Sequence, residues 1–77
     1  MNWIESNNTL FKKFTFKKYS DAILFCNTVA YLAEKYNHHP KIIIDYTTVE
    51  IFLCTHDQNH TITEKDIHMA AEIDKII

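Results

Sequence analysis

Residues 20–56 read SDAILFCNTVAYLAEKYNHHPKIIIDYTTVEIFLCTH, and inside this stretch the apolar period changes once. Ala22, Phe25, Cys26, Val29, Ala30, Ala33 and Tyr36 recur at steps of three and four, the spacing of one face of an α-helix. Ser20 is the expected N-cap. Pro40 lacks an N–H and forces its predecessor into an extended conformation, so the helix must end near residues 37–39, with Asn37 suited to a left-handed C-cap. Beyond Pro40 the pattern is that of strands. Ile42 to Tyr46 and Val49 to Thr55 are β-branched and aromatic, and Val49, Ile51 and Leu53 alternate with Glu50, Phe52 and Cys54. A hairpin turning at Thr47-Thr48 is expected. Paired positions would then sum to 95, which sets His56 opposite His39.

Outward from this stretch, Leu10 to Tyr19 is aromatic and partly alternating, as in a half-buried strand, with Phe14 and Phe16 on one side and Lys13, Thr15 and Lys17 on the other. Trp3 and Ile4 begin a partner strand. At the far end, Thr63-x-x-Asp66 has the form of a capping box, followed by a helical stripe of Met69, Ala70, Ile73, Ile76 and Ile77. The order is β-β-α-β-β-α, an α+β chain forming one domain over residues 1–77. A domain of this length buries only about 60% of its unfolded surface, so self-association is expected to complete the core.

Composition excludes several classes. Apolar residues make up 47% of the 77 residues and there is no Gly, which does not describe a disordered chain. No run approaches the ~18 apolar residues of a membrane span, and the first residues lack the pattern of a secretory signal. A cytoplasmic, reduced protein is expected, with Cys26 and Cys54 as buried free thiols rather than ligands. Lys12, Lys13, Lys17 and Lys18 lie among Phe11, Phe14 and Phe16, which can mark a surface that stacks single-stranded nucleic acid. A net charge of −2 and the absence of Arg favour a solvated strand face instead, and no nucleic-acid partner is expected.

The chemistry gathers where the first helix meets the hairpin. His38 and His39 lie at the helix end, and the returning strand carries Thr55-His56 back to the level of Pro40. Glu34, four residues before His38, can face it across the last turn, fix its tautomer and favour its protonated form. The partial negative charge of the helix end acts in the same direction. One neutral and one protonated imidazole on a shared cleft act as base and acid, a pairing worth roughly 10²- to 10⁴-fold in rate. Three histidines with a Glu nearby also suggest zinc, but adjacent histidines rarely point the same way and no further ligand stands at a usual spacing, so no metal is expected. Asp66 reads as a helix cap and Tyr46 as a strand aromatic packed near the cleft. His60 and His68 are expected to face solvent.

The run from Glu34 through His38-His39-Pro40, followed by Tyr46, Thr55-His56 and Asp66, resembles the signature of the pterin-4a-carbinolamine dehydratases. The likeness extends to Phe14-x-Phe16, to the face of the first helix and to Val49-x-Ile51-x-Leu53. It implies a four-stranded antiparallel sheet with two helices on one face, assembled as dimers or tetramers. It also implies dehydration of a 4a-hydroxytetrahydropterin left by aromatic amino acid hydroxylases, without metal or cofactor. By that likeness His38, His39 and His56 are the active-site histidines, with His38 and His56 sharing the proton transfers. Substrate binding falls to His39, Thr55 and His56, while Pro40, Tyr46 and Asp66 are structural positions of the motif. Some relatives act as dimerisation cofactors for transcription factors, so a binding module is the alternative role. Three features depart from the family: its usual helix before the Trp3 strand is missing, residues 57–62 carry no Gly, and Asn37 stands where Asp is common.

Overall fold

A computed structural model describes residues 2–56 and 59–77. The elements are β1 (Ile4–Ser6), β2 (Thr9–Thr15), α1 (Tyr19–Lys35), β3 (Lys41–Asp45), β4 (Thr48–Leu53) and α2 (Glu64–Asp74). The expected order is therefore the observed one, with both helices on one face of a four-stranded antiparallel sheet. The strand order is β1-β2-β4-β3.

Strand alternation builds the core. Leu10 and Phe14 pair with Leu53 and Val49, and Ile42 pairs with Ile51, so their side chains share the face that meets the helices. Ala22, Phe25, Val29 and Ala33 of α1 and Met69, Ala70 and Ile73 of α2 complete the buried cluster. Ala30 and Ile77, read as part of these stripes, are exposed. Ala30 neighbours the buried Val29 in sequence and so points about 100° away from it. Ile77 lies beyond the last turn of α2, where the helical period no longer applies. Both cysteines are free and only half-buried, and burial pushes the Cys26 thiol up from its ordinary value.

Turn chemistry sets the register. Asn7 and Asn8 take φ of 51° and 61°, the doubly left-handed pair that a two-residue hairpin prefers. In the second hairpin Asp45 pairs with Thr48, so Tyr46 and Thr47 form the turn in place of the expected Thr47-Thr48. Tyr46 holds φ 55°; the expected register would ask a β-branched Thr for a left-handed conformation. It would also set Asp45 opposite Glu50, whereas the observed one gives Glu50 an isoleucine partner, Ile43. Extending the true register places Cys54, not His56, opposite His39. Tyr46 is 80% exposed at the opposite end of the sheet from His56, a correction to its expected position by the cleft.

One smaller expectation also changes. Lys18, in extended conformation and without a side-chain cap bond, precedes α1, which starts one residue before the expected cap Ser20. β4 is interior, so the free edges belong to β1 and β3. Lys12 lies over the Phe14 ring and bonds Asp74 at 2.8 Å, while Phe14 is buried, which removes two members of the supposed stacking surface. Among the described residues no helix is long and apolar enough to cross a membrane. Of the divergent loop, Asp57 and Gln58 lie outside the described residues.

Candidate active site

The end of α1 decides where the two adjacent histidines point. Asn37 turns left-handed at φ 50°, and its N–H donates to the Glu34 carbonyl while the His38 N–H donates to the Ala33 carbonyl. These two bonds are the paired closure of a Schellman motif, which satisfies the last carbonyls and reverses the chain. The reversal turns His38 inward and leaves His39 out. Pro40 then feeds the chain into β3, so the histidine pair occupies the link between helix and sheet.

His38 meets a carboxylate other than the expected one. Its Nε2 lies 2.5 Å from Asp66 Oδ1, whereas Glu34 Oε2 lies 2.6 Å from His39 Nε2. The left-handed step at Asn37 interrupts the helical spacing on which the Glu34–His38 pairing relied. The two pairs also differ in strength. Glu34 and His39 side chains are 77% and 58% exposed, where an ion pair contributes about 0–1 kcal/mol. Asp66 is fully buried and His38 nearly so, which makes theirs the pair that fixes a ring.

Asp66 is held from three sides. Its Oδ2 accepts the Thr63 N–H at 2.9 Å, closing the capping box of α2, and accepts the Thr55 hydroxyl at 2.8 Å. The Thr63 hydroxyl donates to Thr55 Oγ1 at 2.7 Å and accepts from the Lys65 N–H at 3.3 Å. Both hydroxyl protons of this Thr63–Thr55–Asp66 network therefore have an acceptor, and no buried side-chain polar atom among the described residues lacks a partner. Because the carboxylate accepts, the proton on His38 sits on Nε2, and Nδ1 is the nitrogen left for chemistry. The Thr55 hydroxyl, expected to bind substrate, is 1% exposed and committed to this network.

β4 brings the third histidine. After Leu53 the strand runs through Cys54 to Thr55, which pairs in isolation with Thr61 through a 2.8 Å bond from the Thr55 N–H to the Thr61 carbonyl. His56 follows, exposed, with Nδ1 3.0 Å from Nδ1 of His60. His38, His39, Cys54, Thr55 and His56 line one open cleft of about 270 Å³, with Lys65 contributed by α2. The three histidines thus share a cleft, although the pairing register that suggested it was two residues off. Sequence reasoning missed Cys54, Lys65 and the contact of His60 with His56. It placed Asp66 in the cap but not behind His38; the clue was that a capping carboxylate uses one oxygen and leaves the other free. His68, exposed on α2, packs edge-on against Tyr36 away from the cleft.

An arrangement in which a buried carboxylate orients one imidazole opposite a second, solvent-facing imidazole is suited to paired proton transfer. Residues 1–76 match the family described as Pterin 4 alpha carbinolamine dehydratase. A candidate pterin-4-alpha-carbinolamine dehydratase of Chloroflexus aggregans is 45% identical over 74 residues, covering 96% of this chain and 78% of that protein. One from Prochlorococcus marinus is 43% identical over 76 residues, covering 99% and 79%. The crystal structure of a transcriptional coactivator/pterin dehydratase from Brucella melitensis superposes with a TM-score of 0.90 at 36% identity, covering 96% of this chain and 80% of that one. A pterin dehydratase-like protein identified as a RuBisCO assembly factor in the alpha-carboxysome gives a TM-score of 0.83 at 29% identity, covering 97% and 88%. Sequence match and fold agree, and the chain belongs to the pterin-4-alpha-carbinolamine dehydratase family.

Proposed function

We propose that the protein dehydrates a 4a-hydroxytetrahydropterin to the quinonoid dihydropterin by histidine acid/base catalysis. The observation that carries this reading is the Asp66–His38 pair facing the same cleft as His56. His38 is the base: Nδ1 takes the proton from N5 of the pterin, and Asp66 balances the charge that the ring gains. The electron pair of the broken N5–H bond forms the C4a=N5 double bond as the C4a–O bond breaks. His56 is the acid, delivering a proton from Nε2 so that the hydroxyl leaves as water. The imidazoles then exchange their protons with solvent. His39, oriented by Glu34, contacts the pterin ring. This is the assignment of a general base by its carboxylate partner, the same logic that identifies the oriented histidine in hydrolytic triads. No metal or bound cofactor enters the reaction.

The test follows the decay of freshly generated 4a-hydroxytetrahydropterin with and without protein, the spontaneous reaction serving as baseline. Acceleration by wild type that falls roughly 10²- to 10⁴-fold in His56→Ala supports the proposal. Wild type that does not outpace the baseline at neutral pH refutes it.

The likeness to the Brucella transcriptional coactivator/pterin dehydratase and to the assembly factor favours a second reading, a binding module on the same fold. Edge strand β3 suits it, because Ile43 and Ile44 are 39% and 38% exposed beside unpaired backbone groups. A second copy or another protein can add a strand there. Ile43→Lys would then abolish association measured by sedimentation while leaving a fold with wild-type circular dichroism.

A further inference from the structure

We infer that Cys54, His56 and His60 form a binding site for a borderline-soft divalent cation of the zinc and cobalt class. One donor atom from each of the three residues lies within 4.8 Å of the other two. The donors are a thiol sulfur and two imidazole nitrogens, a set that selects zinc-like ions over magnesium or calcium.

The backbone holds them together. Thr55 and Thr61 pair across the mouth of the loop, so His56 and His60 sit one residue inside the two ends of that closure. Asn59 and His60 both take left-handed conformations, φ 60° and 53°, which folds the returning chain sharply. A histidine held there costs about 1–2 kcal/mol relative to an ordinary conformation. The result is two Nδ1 atoms facing each other at 3.0 Å with ring planes 86° apart. Two nitrogens on a tetrahedral zinc at ~2.0–2.1 Å would be about 3.4 Å apart. The histidine pair is therefore within about half an ångström of a chelating bite before any side chain moves. Binding displaces the proton shared by the two nitrogens and the one on the Cys54 sulfur, and both rings turn so that their lone pairs converge on an ion lying off the line between them. Cys54 is half-buried in the cleft wall with its sulfur within 4.8 Å of a donor nitrogen of each histidine, and binding would draw it to ~2.3 Å from the ion. With three protein ligands, a fourth position is left for water.

This set differs from the His38-His39-His56 grouping that the sequence suggests for zinc: His38 is turned to Asp66 and His39 to Glu34, and only His56 is shared.

Cobalt(II) is the probe. Chelator-treated, reduced full-length protein is titrated with cobalt chloride while absorbance is recorded. One cobalt per chain is expected, with a thiolate-to-cobalt band in the near ultraviolet and the strong visible bands of a four-coordinate ion. Cys54→Ser should lose the near-ultraviolet band. His60→Ala, a change at an exposed position, should weaken binding by more than the roughly 10- to 100-fold that loss of an outer-sphere partner costs. His38→Ala should bind cobalt as wild type does. No near-ultraviolet band in wild type, or binding indifferent to His60→Ala, overturns the inference.

Discussion

Replacing Asp66 with Asn changes almost no volume and reverses one hydrogen-bonding polarity. The carboxylate accepts three donors, from Thr63 N–H and the Thr55 hydroxyl on Oδ2 and from His38 Nε2 on Oδ1. An Asn oxygen placed at Oδ2 keeps the first two, and its NH₂ then meets the Nε2–H of His38, donor against donor. The conflict is relieved if His38 moves its proton to Nδ1, the nitrogen assigned to accept the pterin proton. Locking a catalytic imidazole in the wrong tautomer costs roughly 10⁴-fold where it has been measured, and the general range for acid/base catalysis is roughly 10²- to 10⁴-fold. Stability falls less. One charge-assisted bond is worth about 1.5–3 kcal/mol, in a domain of this size whose whole stability is roughly 4–12 kcal/mol. The melting temperature should drop by about 6–24 °C, which leaves a folded population at 20 °C for assay. The comparison variant is Thr63→Ala, which removes the capping hydroxyl at about 1 kcal/mol but leaves Asp66 facing His38. Carbinolamine decay and thermal unfolding are measured on both. An Asp66→Asn protein within about threefold of wild-type activity, or a Thr63→Ala protein equally impaired, would refute the tautomer argument.

Glu34→Gln should leave stability within about 1 kcal/mol of wild type, since the pair with His39 is exposed, and should raise KM while kcat stays nearly constant. Asn37→Gly should raise the unfolding free energy by up to about 1 kcal/mol in urea titrations, because φ 50° costs Gly nothing. Zinc at one equivalent should slow dehydration by engaging His56, chelator should restore the rate, and His60→Ala should be less sensitive in the same assay. The Lys75 ammonium hydrogen-bonds Glu72 and holds its carboxyl below the ordinary value of 4.5. A lowered carboxyl stabilises the fold above its unfolded value, and that contribution disappears as pH falls through the folded value. The stability difference between wild type and Lys75→Ala should therefore be present in full at pH 7, begin to shrink as pH falls below about 4.5, and be gone once pH lies below the folded value.

Elements that depend on local pattern were legible in the sequence. Periodicity alone identified the buried faces of α1 and β4, and the Thr63-x-x-Asp66 spacing identified the cap of α2. The end of α1 followed from Asn37 and Pro40. What could not be read depends on relations between elements. Which carboxylate meets His38 is decided by α2 packing beside α1, twenty-eight residues further along the chain, and not by the nearby Glu34. The hairpin register turned on whether Tyr46 or a Thr would accept a left-handed conformation, and no favoured turn dipeptide announced the answer. The closeness of His60 to His56 needed the Thr55–Thr61 closure, which has no sequence signal.

The interior position of β4 has a consequence for the order of folding. Both hairpins, β1-β2 and β3-β4, close over two-residue turns and can form within microseconds. The seam between them cannot, because Leu10 must find Leu53 and Thr15 must find Thr48, partners more than thirty residues apart. Closing that loop carries the entropic cost before the buried contacts repay it, so the β2–β4 seam is the expected bottleneck on the way to the native state. Cys54, Thr55 and His56 extend from the same strand. Substitutions along the seam should therefore slow refolding and delay the appearance of activity together, as one kinetic phase.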